Sequence, residues 1–209
     1  MSAGLELLRL VAVTAGFAVI GIVAMIIGAN IVQRLDVFDD GPGIGSPQEF
    51  VLIAVAAMIG IGLVATHRDS PADLLVAGLT VYAVVGAVYC DVARGIVPDF
   101  FTLLPLGFLI VFALTQAHYG LLIAAFVPPI PFAIAAFASR GRGMGWGDVK
   151  LVAFGGAVLG LETAVAAFCG ACILAVLIAV WRKALKEPIP FAPYLAGSIA
   201  ITMAAGLQV

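Results

Sequence analysis

Apolar residues follow one another along this chain in long runs, and only short polar stretches interrupt them. A bilayer core about 30 Å thick takes about 20 apolar residues of helix to cross. Runs of about that length predict an all-α polytopic membrane protein with about eight transmembrane helices, at residues 5–32, 50–66, 74–89, 101–117, 121–138, 149–159, 163–181 and 192–207. The sixth run is short enough to cross only partly.

Composition supports the same class of protein. Of the 209 residues 64% are hydrophobic and 11% are charged, and the mean hydropathy is +1.21. Soluble domains have roughly 45–50% apolar and about 25% charged residues. The runs leave no room for a soluble domain, so residues 1–209 are predicted to form one membrane-embedded domain whose partner is the lipid bilayer. A net charge of −2 offers no basic face for nucleic acid.

The basic residues indicate an orientation, because cytoplasmic loops hold the excess of Lys and Arg. Loops after the first, third, fifth and seventh runs contain every basic residue except Arg9 and Arg68. These loops are therefore predicted to be cytoplasmic and both termini to lie outside. The first run exceeds the signal-peptide core of about 7–15 residues, and we expect it to be a retained span.

Two aspartates stand at the ends of apolar runs. Asp91 directly follows the third run and Asp148 opens the sixth, so the predicted topology lets the two carboxyl groups face each other near the cytoplasm. Two carboxylates held close do not readily both ionise, because the charges repel. One as base and one as acid, they suit catalysis on a single water. The alternative for each is an ordinary helix-end residue, which a helix N-terminus would stabilise at Asp148 but not at Asp91.

Glycine alternates through the loop that precedes Asp148. Because glycine permits positive φ and close backbone approach, this strip is predicted to lie against an extended substrate peptide, with Gly143, Gly145 and Gly147 as binding residues. Lys150 is a further candidate for substrate binding. Its alternatives are to stabilise an anionic Asp148 or to be an ordinary interfacial lysine.

The same residues resemble a known family. The letters GWGD at 145–148 read as the GxGD motif of aspartyl intramembrane-type peptidases, and residues 143–151 resemble its form in type IV prepilin peptidases. Asp91 with VPD at 97–99 is similar to the segment that holds the family's first catalytic aspartate. PFAP at 190–193 is similar to the PFGP that opens the family's last span, with alanine in place of glycine.

The resemblance covers roughly residues 74–200 and implies a function. It implies an aspartic endopeptidase of the cytoplasmic (inner) membrane, with Asp91 and Asp148 as catalytic residues. The implied substrate is a prepilin or pseudopilin of type IV pilus or type II secretion systems. Its basic leader is in the cytoplasm, where it is cut, and its apolar helix is in the bilayer. Cleavage implies no metal or organic cofactor.

One loop departs from the long, bifunctional members of the family. Those members carry two CxxC pairs after the first span, a spacing typical of a structural zinc site. Residues 33–49 here form a short loop without cysteine, so a tetrathiolate zinc site is excluded. N-methylation of the processed pilin is then not a firm expectation, and S-adenosylmethionine is a cofactor only if that activity is retained.

Two readings from other classes stay open. A secondary transporter or channel would use the two aspartates as a proton or ion relay, and the prolines at 128, 129 and 131 would suit the broken helix of such a protein. The clustering of glycines and acids at one face favours the peptidase. A structural subunit without activity would leave that clustering unexplained.

Other polar residues have bland interpretations beside functional ones. Cys169 and Cys172 are spelled like a redox or metal pair but are expected to be small packing residues. Asp99 is expected to cap the fourth span rather than to act in catalysis. His67 and His118 fall on the predicted outer side. An acidic loop is expected to be solvated rather than to bind a cation, with Asp36, Asp39 and Asp40 as its members.

Overall fold

The computed structural model describes residues 3–35, 70–139, 144–181 and 191–206. Regular structure in these residues is entirely helical, which confirms the predicted class. The helices are α1 (Ala3–Leu35), α2 (Pro71–Arg94), α3 (Asp99–Thr115), α4 (Tyr119–Phe126), α5 (Pro129–Ala138), α6 (Trp146–Leu159), α7 (Leu161–Trp181) and α8 (Ala192–Ala204). The predicted second span, His67 and the acidic loop with Asp36, Asp39 and Asp40 lie outside the described residues.

Four helical stretches of the described chain are long and apolar enough to cross a membrane. They are Gly4–Arg34, Pro71–Arg94, Tyr119–Ala138 and Leu161–Trp181. Helices α3 and α8 are apolar but shorter. Large apolar side chains on the outer helices face outward, as a lipid environment favours, among them Phe108, Val111, Phe137, Ile173 and Trp181. The protein is thus a helical membrane protein with several spans.

Helix α6 lies at the centre of this bundle. It packs against α2, α3, α4, α5, α7 and α8, and every residue from Leu151 to Leu159 is buried. A helix that is apolar on all sides is expected to be enclosed by other helices. With 14 residues and a rise of about 1.5 Å each, α6 is only about 21 Å long. This agrees with the predicted short sixth run.

The fifth predicted span is broken into α4 and α5. Proline has no N–H, so Pro128 cannot donate the helical hydrogen bond to the carbonyl of Ala124. Gly156 of α6 packs against that same carbonyl, and a Cβ built on Gly156 would lie 2.1 Å from the Ala124 oxygen. The break therefore creates a place where two helix backbones meet, and only glycine fits at this point of α6.

Helix α2 has clear signals at both ends. The Ser70 hydroxyl accepts from the N–H of Asp73, whose carboxylate accepts in turn from the N–H of Ser70, which makes a capping box. At the other end Gly95 adopts the left-handed conformation (φ 65°), and its N–H donates to the carbonyl of Asp91 over 2.7 Å. Glycine suits this C-terminal turn because it has no Cβ.

Candidate active site

Asp91 lies in the last turn of α2 and is 7% exposed. Its Oδ2 accepts a hydrogen bond of 3.1 Å from the backbone N–H of Ala192, the first residue of α8. The N-terminus of a helix favours negative charge. The sequence pattern predicts no helix-end stabilisation for an acid at this position, because it closes its own helix, and the structure supplies that stabilisation from a distant helix.

Ala192 is therefore a residue of the site that the sequence pattern does not predict. Its contribution is a backbone N–H, for which no side-chain type is a signal. The available signal was positional, since the PFAP segment at 190–193 places Pro193 in the first turn of a helix. The resemblance to the family identifies this segment only as the opening of the last span.

Asp148 is the third residue of α6 and is 8% exposed. Its Oδ2 accepts a hydrogen bond of 3.2 Å from the backbone N–H of Gly145. Its Oδ1 is buried and has no hydrogen-bond partner in the described part of the chain. A buried polar atom without a partner is costly and is a recognised mark of a functional site.

The two carboxyl groups lie close enough that the charge of Asp91 acts on Asp148. They are brought together by the C-terminal end of α2 and the N-terminal end of α6, and the N-terminal end of α8 meets them there. The predicted juxtaposition of Asp91 and Asp148 is thus present. Buried acids in such proximity favour a state in which one is ionised and one protonated.

The glycines before Asp148 have a different setting from the predicted one. A Cβ built on Gly147 would lie 2.6 Å from the Cβ of Val97, in the loop between α2 and α3. Glycine is thus required at 147 by packing within the protein. Gly145 has an extended backbone (φ −79°, ψ 149°), so it does not need the positive φ that glycine allows.

Gly145 nevertheless remains in the site, since it is exposed and holds Asp148 through its N–H. A Cβ on Gly145 would lie 3.4 Å from Oδ2 of Asp148, at ordinary contact distance. Gly143 lies outside the described residues.

Lys150 forms an ion pair with Asp99 through Nζ and Oδ1. The expectation that Asp99 caps its helix is wrong, because the N-cap of α3 is Pro98 and Asp99 is the first helical residue. Proline pre-sets the backbone at this helix start, and the carboxylate of Asp99 is left to pair with the lysine. His118 lies in the turn at the other end of α3, away from the aspartates.

Residues 78–180 of the chain match the type IV leader peptidase family. The chain belongs to the type IV leader peptidase family. The matched segment contains both Asp91 and Asp148, whereas the contact with Ala192 lies beyond it.

Two curated relatives match a shorter part of this family member. They are prepilin leader peptidase/N-methyltransferases from Burkholderia pseudomallei strains 1026b and K96243, each 42% identical over 69 residues. The match covers 30% of this chain and 22% of each relative, so the chain aligns with about a fifth of their length. No solved structure matches the chain.

An apolar groove adjoins the glycine loop of this leader peptidase family member. It has a volume of about 650 Å³ and lies between α5, with the break before it, and α7. Its walls are apolar or sulfur-bearing side chains from Val127, Pro128, Pro131, Phe132, Ala135, Met144, Val165, Phe168, Cys169, Cys172 and Ile173. Met144 stands immediately before Gly145, so one end of the groove reaches the loop that holds Asp148.

The groove explains the two cysteines of α7. Both Cys169 and Cys172 are free thiols, Cys169 is exposed, and both line the groove. The expectation that they are packing residues of the core is thus wrong for Cys169. Across the described residues no three side chains of His, Cys, Asp or Glu converge in a way that would hold a metal ion.

Proposed function

We propose that this chain is an aspartyl endopeptidase of the cytoplasmic membrane that removes the leader peptide from a prepilin or pseudopilin. The observation that carries the proposal is the convergence of Asp91 and Asp148, each fixed through Oδ2 by a backbone N–H. Membership of the type IV leader peptidase family and the printed function of the curated relatives support the same reaction.

In this proposal Asp91 is the base. Its carboxylate faces the positive end of the α8 dipole and accepts from Ala192, which favours the anion. It takes a proton from a water as the water oxygen attacks the amide carbon of the substrate. Fixed backbone donors hold the carboxylate without reorganisation during the reaction.

Asp148 is then the acid. Its unpartnered Oδ1 carries the proton and donates it to the carbonyl oxygen as the tetrahedral diol forms. Asp91 then gives its proton to the amide nitrogen. As the C–N bond breaks, one hydroxyl of the diol returns a proton to Asp148, and the products are a carboxylic acid and an amine. Asp91 is then again an anion and Asp148 again an acid, as at the start of the cycle. No covalent intermediate is part of the scheme.

The substrate lies along two surfaces in this proposal. The exposed backbone at Gly145 pairs with the extended peptide near the scissile bond, as the glycine strip with Gly143 suggests. The apolar helix that follows the leader lies in the groove between α5 and α7, which reaches that loop at Met144. An apolar groove open at the catalytic loop suits a segment that stays in the bilayer.

The membrane arrangement follows the basic residues. We place the end of the bundle that holds the aspartates in the cytoplasm, in a topology of about eight spans with both termini outside. Residues 1–209 then act as one membrane-embedded unit. Cleavage uses no cofactor in this scheme, and S-adenosylmethionine enters only if the chain also methylates its product.

A transporter that relays protons is the second candidate, and the break between α4 and α5 favours it. The groove at that break, however, is lined by apolar and sulfur-bearing side chains and so provides no oxygen ligands for an ion or proton path. The aspartates lie at the bundle end instead. The peptidase accounts for both features.

The deciding experiment is cleavage of a purified prepilin by the purified chain in lipid vesicles. We expect the wild type to remove the leader, with the product's mass defining the bond. Glu162→Gln is the control, because Glu162 is an exposed acid at the start of α7, next to the end of α6 opposite to Asp148. No cleavage by well-folded wild-type protein would contradict the proposal.

A further inference from the structure

Two segments next to the aspartates contact each other at two points. The backbone of Gly147 packs against Val97, and the Nζ of Lys150 pairs with Asp99. One segment is the connection between α2 and α3 together with the first residue of α3, and the other is the N-terminal part of α6 from Gly147 to Lys150. We call this set of four residues the clamp: Val97, Asp99, Gly147 and Lys150.

Each side of the clamp is connected to one aspartate, by a backbone hydrogen bond on one side and by the chain itself on the other. Asp91 is tied to the start of the α2–α3 connection, because the N–H of Gly95 donates to its carbonyl over 2.7 Å. Asp148 lies directly between Gly147 and Lys150 in α6. A shift of one segment relative to the other would therefore change the separation of the two carboxyl groups.

The ion pair itself is poorly placed to serve overall stability. The side chains of Lys150 and Asp99 are 30% and 60% exposed, and exposed pairs contribute little to folding. The pair joins residues 51 positions apart in the chain, and each belongs to the turn next to a functional segment. Its effect is thus expected on the geometry of the site.

We propose that Lys150 and Asp99 are positioning residues, whose ion pair holds the aspartates at their working separation. The inference rests on the proposed peptidase function. It replaces direct substrate binding by Lys150, because the lysine Nζ is already engaged by Asp99. A misplacement of about 1 Å in a catalytic group costs on the order of 100-fold in rate.

The test compares Lys150→Met and Asp99→Asn with the wild type in the vesicle assay. We expect each to lower kcat by about 10- to 100-fold with KM within about twofold, and the double variant to be no worse than either alone. Lys150→Arg and Asp99→Glu keep the pair and should retain most activity. Glu162→Gln is the control, an exposed acid in the first turn of α7.

The pattern that overturns the proposal is equally specific. If Lys150→Met raises KM at unchanged kcat while Asp99→Asn is fully active, then Lys150 binds substrate and the clamp has no catalytic role. Full kcat in both variants also refutes it.

A readout without substrate separates the clamp from the proposed function. Amide hydrogen exchange at residues 95–97 and 145–150 should be faster in Lys150→Met than in the wild type, whether or not the protein cleaves prepilin. Unchanged exchange at both segments counts against the clamp. Faster exchange in Lys150→Met, together with a wild-type protein that never cleaves prepilin, would leave the clamp standing and reject the peptidase.

Discussion

Asp91 and Asp148 each use Oδ2 to accept a hydrogen bond from a backbone N–H. These hydrogen bonds fix the position of each carboxyl group, while Oδ1 of Asp148 has no hydrogen-bond partner among the described residues. In the proposed reaction that atom is where the proton leaves for the substrate. The helix contexts of the two acids differ, since Asp91 accepts from the N-terminus of α8 and Asp148 lies in the first turn of α6, and this difference underlies their separate roles in the proposed reaction.

The first prediction concerns this pair. Asp91→Asn and Asp148→Asn should each reduce leader cleavage below detection, because each removes one half of the acid–base pair. The double variant should be hardly worse than either single one, as expected for groups that act as a unit. Cleavage is followed by gel shift in membranes with matched protein levels. Appreciable cleavage by either single variant would reject the pair.

The second prediction separates packing from substrate contact at Gly147. Gly147→Val should remove nearly all activity, because even its Cβ would lie 2.6 Å from the Cβ of Val97. If that contact is the cause, adding Val97→Gly should recover part of the activity. Trp146→Leu should be tolerated with modest loss, since Trp146 is exposed.

The result that would contradict the packing explanation is a Gly147→Val protein that stays inactive with Val97→Gly although its thermal unfolding returns to normal. That outcome would restore the glycine strip as the surface that the substrate itself requires.

Helices α4 and α6 are in contact through their backbones, at a point where no side chain fits between them. The carbonyl of Ala124 has lost its helical donor at Pro128, and Gly156 fills the space beside it. The break in the apolar run thus has a packing role in this fold. The same prolines at 128, 129 and 131 made a broken helix foreseeable from the sequence, whereas the partner on α6 was not.

The third prediction tests this contact. Gly156→Ala should lower the Tm in detergent, because overpacking costs about 1–3 kcal/mol and here the obstructing atom is backbone, only 2.1 Å from the added Cβ. Gly170→Ala is the matched control, since a Cβ there meets nothing within 4 Å and alanine is the better helix former. A Tm equal to that of the control would contradict the contact.

What the sequence could predict followed from local pattern. Run boundaries located Asp91 and Asp148, and alternating glycine marked the loop before Asp148. The local pattern predicts Asp99 as a helix cap, which is wrong, because its partner Lys150 lies 51 residues away in the chain. Ala192 was missed for the same reason, since a backbone donor 101 residues from its acceptor leaves no trace in a local pattern.

The fourth prediction concerns the groove as a path for substrate. Cys169 is exposed in the groove, so a maleimide should label it in vesicles, whereas buried Cys90 should resist. Bound prepilin with an uncleavable leader junction should slow the labelling of Cys169, and Cys169→Trp should raise KM by narrowing the groove. Labelling at an unchanged rate under saturating prepilin would show that the substrate does not occupy the groove at Cys169.

The fifth prediction concerns metal in the whole protein. Because residues 33–49 contain no cysteine, the purified chain should carry no stoichiometric zinc and should cleave prepilin in the presence of a strong chelator. Elemental analysis of the protein is the measurement. One tightly held zinc per chain, with activity lost on its removal, would be the contrary result.

Helix α6 has a consequence for the membrane around the protein. At about 21 Å it is about 9 Å shorter than a typical hydrocarbon core. Its neighbours enclose it, however, so lipid does not contact its buried turns. Bilayers of different thickness therefore act on the longer outer helices and not directly on α6, whose first turn holds Asp148. The depth of this aspartate is thus set by its protein neighbours and not by the membrane.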